Sequence, residues 1–210
     1  MTSQGRLFLD DEGYADLRTF VSRARTLDAD GVVRLQAEGT VLAAYVGVLP
    51  GRGLLGDGAV VGLRIMRLAE PAAVDVTVPL AAVADRLARE VREGMEVPPM
   101  VSQSPLGAMT PPRGGWETVG SLEASVLVDA ARAGIAEVAR GAAAGSGAAA
   151  VTDLRHRVWS RLTETVPPIP MGAAFAAYTL GFLEPAGRCA VAAHGRWTRL
   201  SSPHGHVLVR

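Results

Sequence analysis

The chain has no lysine and no asparagine, and all 21 of its basic residues are arginines. The missing lysine removes whole classes of chemistry. There is no P-loop lysine, no Schiff-base amine and no kinase-type lysine to face a nucleotide's phosphates. The missing asparagine removes any N-glycosylation acceptor. Isoleucine is scarce too, while Ala, Gly, Pro and Arg abound, which reads as the codon usage of a high-GC genome. Cys189 is the single cysteine, so no intrachain disulfide can form and a reducing compartment is the default. Aromatic residues make up 5% of the 210 residues, which leaves Ala, Val and Leu to build the core. The net charge of +0 argues against a globally basic nucleic-acid binder.

Long apolar runs are also lacking. The uncharged stretch TVPPIPMGAAFAAYTLGFL, between Glu164 and Glu184, carries three prolines in its first part. What remains, Met171 to Leu183, is shorter than the roughly 20 residues a bilayer span needs. It reads as a buried helix. The opening MTSQGRLFLDDEG meets acidic residues after a short apolar run and does not read as a signal peptide. The expectation is a cytoplasmic protein with no membrane partner.

What is present divides the chain. Residues 95–115 hold five prolines and few charges, a composition that reads as an extended connection between two units, 1–94 and 116–210. In the first, RLFL reads as a strand, and Asp10, Asp11 and Glu12 sit where a helix N-terminus favours negative charge. Tyr14, Leu17, Val21 and Ala24 follow at helical spacing, with Phe20 widening the face. Glu38-Gly39-Thr40 reads as a hairpin turn between VVRLQA and VLAAYVGVL, and AVVGLRIMRL and VDVTV as two further strands. Thr77 is a candidate cap for a helix opened by Pro79, with Leu80, Val83, Leu87 and Val91 inward and Gly94 at its end. The second unit reads as three helices: Ser121 to Arg140, with Leu122, Val126, Ala130, Ala133 and Val138 as its stripe and Leu127 and Ile135 beside it; Thr152 to Leu162, with Leu154, Val158 and Leu162 inward and Arg155, Arg157 and Arg161 on other faces; and Gly172 to Leu183. GAAAGSGAAA (141–150) links the first two, and RCAVAA with the closing hairpin GRWTRL–SSPHG–HVLVR follows. The fold class is therefore α+β: a mostly antiparallel sheet with two helices, then a three-helix unit with a β-hairpin that resembles a winged helix-turn-helix.

The motif that most invites a functional reading is Gly51-Arg52-Gly53-Leu54-Leu55-Gly56, the spacing of a dinucleotide fingerprint. Such glycines must lead into a helix whose amides hold the pyrophosphate. Here AVVGLRIM follows, which is strand-like, so a flexible loop between strands is expected. His204, His206, His194 and Cys189 are metal-capable types without the paired spacing of a zinc site. No G-x-S-x-G or H-E-x-x-H motif is present, and carboxylate pairs such as Asp28/Asp30 sit at element ends. No catalytic, cofactor or metal residue is expected, and the chain reads as a non-enzyme.

Two other readings compete. From Val151 onward seven arginines face three acids, and a wing could place Arg196, Arg199 and Arg210 on phosphates. Against this, GAAFAAYTLGFL lacks the Arg, Asn and Gln side chains that read bases. Its small residues with Phe175 and Phe182, joined by Trp197, suit a packed core or an interface with a protein partner or a second copy. The leading expectation is a non-enzymatic interaction or regulatory protein. A DNA-associated regulator comes next, and a small-molecule binder at the Gly51–Gly58 loop third. VDVTVPLAAVADRLARE, GRWTRLSSPHGHVLVR and the Lys- and Asn-free composition resemble a conserved actinobacterial family of uncharacterised proteins, a resemblance that implies no activity and no site residues.

Overall fold

A computed structural model describes residues 5–53, 56–89, 93–99, 104, 106, 111–142 and 147–210. The class is α+β with antiparallel sheets. The chain forms two compact units, Met1–Val48 with Leu63–Thr110, and Leu49–Gly62 with Pro111–Arg210. The second unit therefore takes in a segment from the first half of the chain, which a single break at 95–115 does not anticipate.

In the first unit β1 (Arg6–Leu7) leads into α1 (Asp11–Leu27). Tyr14, Leu17, Phe20, Val21 and Ala24 are all buried along one face of α1, as their spacing predicts. The Asp10 carboxylate accepts a hydrogen bond from Gly13 N at 2.8 Å, and Asp11 and Glu12 occupy the first turn. Two long strands follow, β2 (Val32–Leu49) and β3 (Val60–Pro79). They are hydrogen-bonded neighbours. The expected hairpin at Glu38-Gly39-Thr40 is not there, because the chain runs through it as strand. Gly39 takes φ +59°, and burial changes phase across it, from Val33, Leu35 and Ala37 to Leu42, Ala44 and Val46. An odd-to-even change within a continuous strand is the mark of a bulge, which re-aims the side chains without reversing the chain. AVVGLRIMRL and VDVTV likewise merge into the single strand β3.

Arg34 on β2 and Asp75 on β3 fasten this pair: Arg34 Nε and Nη2 each donate to the Asp75 carboxylate at 2.8 Å, and Gln36 Nε2 donates to it at 3.0 Å. That hydrogen bonding raises the Arg34 pKa above its ordinary value. Helix α2 (Leu80–Leu87) buries Leu80, Val83 and Leu87 as expected. Its N-cap is Pro79, without a side-chain cap bond, and Thr77 is buried within β3 instead. The helix stops at Leu87 rather than at Gly94, and the expected apolar Val91 lies outside the described residues. β4 (Met95–Glu96) pairs antiparallel with β1, Arg6 opposite Glu96 and Leu7 opposite Met95. Much of the proline-rich connection lies outside the described residues.

The second unit opens on a strand that the sequence pattern hides. β5 (Glu117–Glu123) takes residues 121–123 from the expected helix, which begins at Ala124 as α3 (Ala124–Gly141). Its buried face is Ala124, Leu127, Ala131 and Gly134, and Val126 is 42% exposed. The stripe expected on Val126 and Ala133 is thus rotated. The cause is a close approach: a Cβ on Gly134 would lie 2.4 Å from Trp159 Cζ3, so the helix docks where it has least bulk. Helix α4 (Ala148–Ser160) buries Val158 and Trp159, whereas Leu162, expected inward, is 61% exposed. The linker residues 143–146 lie outside the described residues.

Helix α5 (Met171–Thr179) is buried from Met171 through Ala177, and Gly172 lets it pack against Leu49 Cδ1 and Val60 Cγ2, each 3.0 Å from where a Cβ would stand. β6 (Arg188–His194), β7 (Trp197–Ser202) and β8 (Gly205–Val209) form an antiparallel meander, and β5 pairs with β6. Beyond β8 the sheet continues into the hairpin end, where Gly58 N donates to Arg210 O at 2.7 Å and Arg210 N to Ala59 O at 3.0 Å. Leu122, Cys189, Val191, Leu200, Val207 and Val209 are buried on one face of these strands. The expected closing hairpin is β7–β8, and it belongs to a sheet with more strands than a three-helix unit with one hairpin would have.

Candidate functional site

The glycine motif has a backbone explanation. Arg52 N donates to Asp57 O at 2.8 Å and Asp57 N to Arg52 O at 2.9 Å, which closes a tight loop at the end of β2 and β3. A Cβ on Gly51 would stand 2.4 Å from Gly56 O, so the loop can cross itself there only without a side chain. Gly53, Gly56 and Gly58 adopt positive φ. No helix follows, since β3 begins at Val60. The fingerprint spacing thus comes from turn geometry, and the strand-to-helix setting of a pyrophosphate site is absent from the described residues. Leu54 and Leu55 lie outside them.

The same loop borders a cleft. Within the second unit, Leu49, Pro50 and Trp159 form apolar wall, Gly51 and Gly58 contribute bare backbone, and Arg52, Thr152, Arg155, His156 and Ser160 bring polar groups to a space of about 310 Å³. This is near the lower end of the ~300–1,000 Å³ typical of ligand pockets, and an apolar lining with a few convergent polar groups is their usual chemistry. The α4 residues reach it because positions 152, 155, 156, 159 and 160 are three or four apart and share one helical face. The loop lies close above them: a Cβ on Gly58 would be 3.4 Å from His156 Cε1 and 3.7 Å from Ser160 Oγ. Trp159 is held rigidly, stacked on Phe175 with centroids 4.3 Å apart and planes 26° apart.

The charges of the cleft are not all compensated. Arg52 Nη2 donates to Asp153 Oδ1 at 2.5 Å, a pair with both side chains about half exposed or more, so it adds little stability. It does neutralise Arg52. Arg155 is exposed and has no carboxylate partner among the described residues. His156 Nδ1 and Nε2 lie 3.4 and 3.5 Å from Ser160 Oγ, the long limit of a hydrogen bond. Asp153 is engaged by Arg52, and among the described residues no carboxylate orients the His156 imidazole, so these do not assemble a Ser–His–Asp relay. The sequence offers the Gly51–Gly58 loop as a small-molecule site only as a third reading, and it does not point to the opposite wall, Thr152, Arg155, His156 and Ser160. Their spacing on a helix was the available signal.

The residues expected to touch DNA are placed differently from one another. Arg196 is exposed, its Nη1 3.8 Å from Asp57 Oδ1. Arg199 lies over the Trp116 ring at 4.7 Å and Arg210 over Trp197 at 5.7 Å. The Nε atoms of both are buried without a hydrogen-bond partner among the described residues. Strand alternation puts these two arginines on the face opposite Leu200, Val207 and Val209. The residues expected at an interface are core: Phe175, Phe182 and Trp197 are 8%, 3% and 8% exposed. Their side chains offer no free surface, so the interface expectation does not carry over to them. Of the two settings the sequence leaves open for them, a packed core or an interface, their burial fits the first, since an apolar helix of small residues has the same composition in either.

The histidines also disperse. His194 Nδ1 donates to Gly115 O at 2.7 Å, His206 Nδ1 is 2.9 Å from Ser201 Oγ, and His204 Nε2 is 3.9 Å from Glu184. Among the described residues, no three His, Cys, Asp or Glu converge as a metal site would require. Burial raises the pKa of the Cys189 thiol and keeps it protonated, in an unreactive form. No described helix is long and apolar enough to cross a membrane.

The molecule is thus an α+β protein of two units, with a ligand-sized cleft at the end of a long strand pair in the second. Residues 1–107 match the family model described as a domain of unknown function, DUF8010, and the chain belongs to that family. Residues 111–210 match a second, DUF8185, under the same description. A comparison with curated proteins finds no match.

Proposed function

We propose that the chain is a non-enzymatic regulatory protein that binds a small molecule in the cleft between the Gly51–Gly58 loop and α4. One observation carries this reading: a space of about 310 Å³ in which an apolar wall of Leu49, Pro50 and Trp159 faces the polar groups of Arg155, His156 and Ser160. A solvated turn has no reason to border such a space. The high-GC composition supports an actinobacterial source, and the lone cysteine supports a cytoplasmic setting.

The test is a fluorescence titration with 1-anilinonaphthalene-8-sulfonate, an amphipathic probe of matching character. Saturable enhancement at one site per chain is expected for the native protein. Ser160→Phe fills the cleft from an exposed position, so it should abolish that site with an unchanged melting curve. Absence of a saturable site, or equal binding by the variant, would count against the cleft.

A second reading rests on the local excess of arginine and on the likeness of α3–α5 with β6–β8 to a winged helix, and makes the protein a DNA-associated regulator. It is the weaker of the two, because Arg199 and Arg210 lie against indole rings and Arg196 faces Asp57. Anisotropy with random-sequence duplex DNA is expected to show no saturable binding at low salt. Binding that weakens steeply as salt rises, and that is lost on Arg196→Ala, would reverse the ranking.

A further inference from the structure

The charges around the cleft say which ligands it favours. We infer that the cleft selects small molecules carrying a single negative charge on an apolar body, with Arg155 as the anchoring cation and Asp153 as the residue that limits the charge to one. The inference rests on the ligand-binding reading and deepens it.

Two guanidinium groups border the space, but only one is available. Arg52 Nη2 is taken by Asp153 Oδ1 at 2.5 Å, so the Arg52–Asp153 pair presents no net charge to a ligand. Arg155, two positions further along α4, has no such partner among the described residues. A carboxylate or comparable monoanion matches one free guanidinium fork. A dianion such as a phosphate monoester would meet the same single cation, because the other guanidinium is neutralised by Asp153, and its second charge would be desolvated without a partner. Ser160 supplies a hydroxyl group on the same face and His156 a ring nitrogen, whereas the Thr152 hydroxyl already donates to Ala148 O at 2.9 Å. The apolar body is required by the other wall, where Leu49, Pro50 and Trp159 have nothing to offer a purely polar solute. Among the described residues of the loop, Arg52 N, Gly56 N and Gly58 N are already spent on Asp57 O, Gly53 O and Arg210 O, at 2.8, 3.3 and 2.7 Å, and are not free to cradle a pyrophosphate.

Asp153 therefore acts through Arg52. Its removal should free a second cation beside the first and convert a preference for one charge into a preference for two.

The experiment uses the full chain and three probes of one shape: phenylacetate, phenyl phosphate and the neutral 2-phenylethanol. Each is titrated at about pH 8, where a phosphate monoester is doubly charged, by calorimetry and by displacement of the fluorescent sulfonate. The native protein should bind phenylacetate about tenfold more tightly than 2-phenylethanol. Arg155→Gln should erase that difference and leave 2-phenylethanol unaffected. Asp153→Asn should raise the affinity for phenyl phosphate about tenfold relative to phenylacetate. If phenylacetate and 2-phenylethanol bind the native cleft equally, charge selection is wrong while the cleft stands. If phenyl phosphate gains nothing from Asp153→Asn, the role of Asp153 is wrong. If no probe binds and the sulfonate finds no site either, the ligand-binding reading fails, and this inference with it.

Discussion

Trp159→Ala is expected to lower the unfolding free energy of the second unit by about 3–5 kcal/mol, the usual cost of truncating a buried tryptophan. The side chain is 5% exposed and stacked on Phe175 at 4.3 Å. It also fills the space opposite Gly134, so three helices meet on one ring system. Ala173, Ala174, Ala176 and Ala177 surround the same core, and small residues cannot re-pack to close a hole. The measurement is urea unfolding followed by circular dichroism, with an unchanged m value identifying a loss of stability rather than a change of mechanism. Because Trp159 also forms one wall of the cleft, sulfonate binding should weaken in the same variant under fully native conditions. A loss below 1 kcal/mol would mean that the core closes on the cavity and that the ring is not the keystone of the three helices.

How much of this could be read from the sequence depends on the distance over which each feature is determined. Helix α1 was legible in its acidic start and its buried face Tyr14, Leu17, Phe20, Val21 and Ala24, because these are set within seventeen residues. β7 and β8 were legible for the same reason, as a local hairpin around Ser-Ser-Pro-His-Gly-His. Glu38-Gly39-Thr40 misled, since a glycine at positive φ serves a bulge as well as a turn and only the partner strand decides. The face expected for α3 lies one position from its buried face, with Leu127, expected beside the stripe, inward. Val126 is more apolar than Gly134, yet Gly134 points inward because Trp159, twenty-five positions away, needs its space. The cleft was the least legible feature. Leu154, Val158 and Leu162 set the expected inward face of α4 and put Arg155 on another, and no motif marks His156 or Ser160. Only the fold shows that the loop at the end of two long strands lies over that polar face. The site is made by a contact between residues about a hundred positions apart, and no local pattern carries that.

The same geometry makes a second prediction of comparable size and opposite steric sign. Gly134→Leu should destabilise the second unit by about 1–3 kcal/mol through overpacking. A Cβ at that position would be 2.4 Å from Trp159 Cζ3 and 2.7 Å from Cη2, and the ring, stacked on Phe175, cannot move aside cheaply. The gain in helix propensity on replacing glycine, up to about 1 kcal/mol, offsets only part of this. If the two residues compete for one volume, the cost of Gly134→Leu must depend on what stands at 159. In the Trp159→Ala background the leucine enters a vacated space, its clash disappears and it restores part of the lost packing. The double variant should therefore be more stable than the sum of the single losses by about 1–3 kcal/mol. A double-mutant cycle measured by the same urea unfolding decides the point. Strict additivity would show that Gly134 and Trp159 act through different parts of the core, and the rotated face of α3 would then need a cause other than the close approach of the indole.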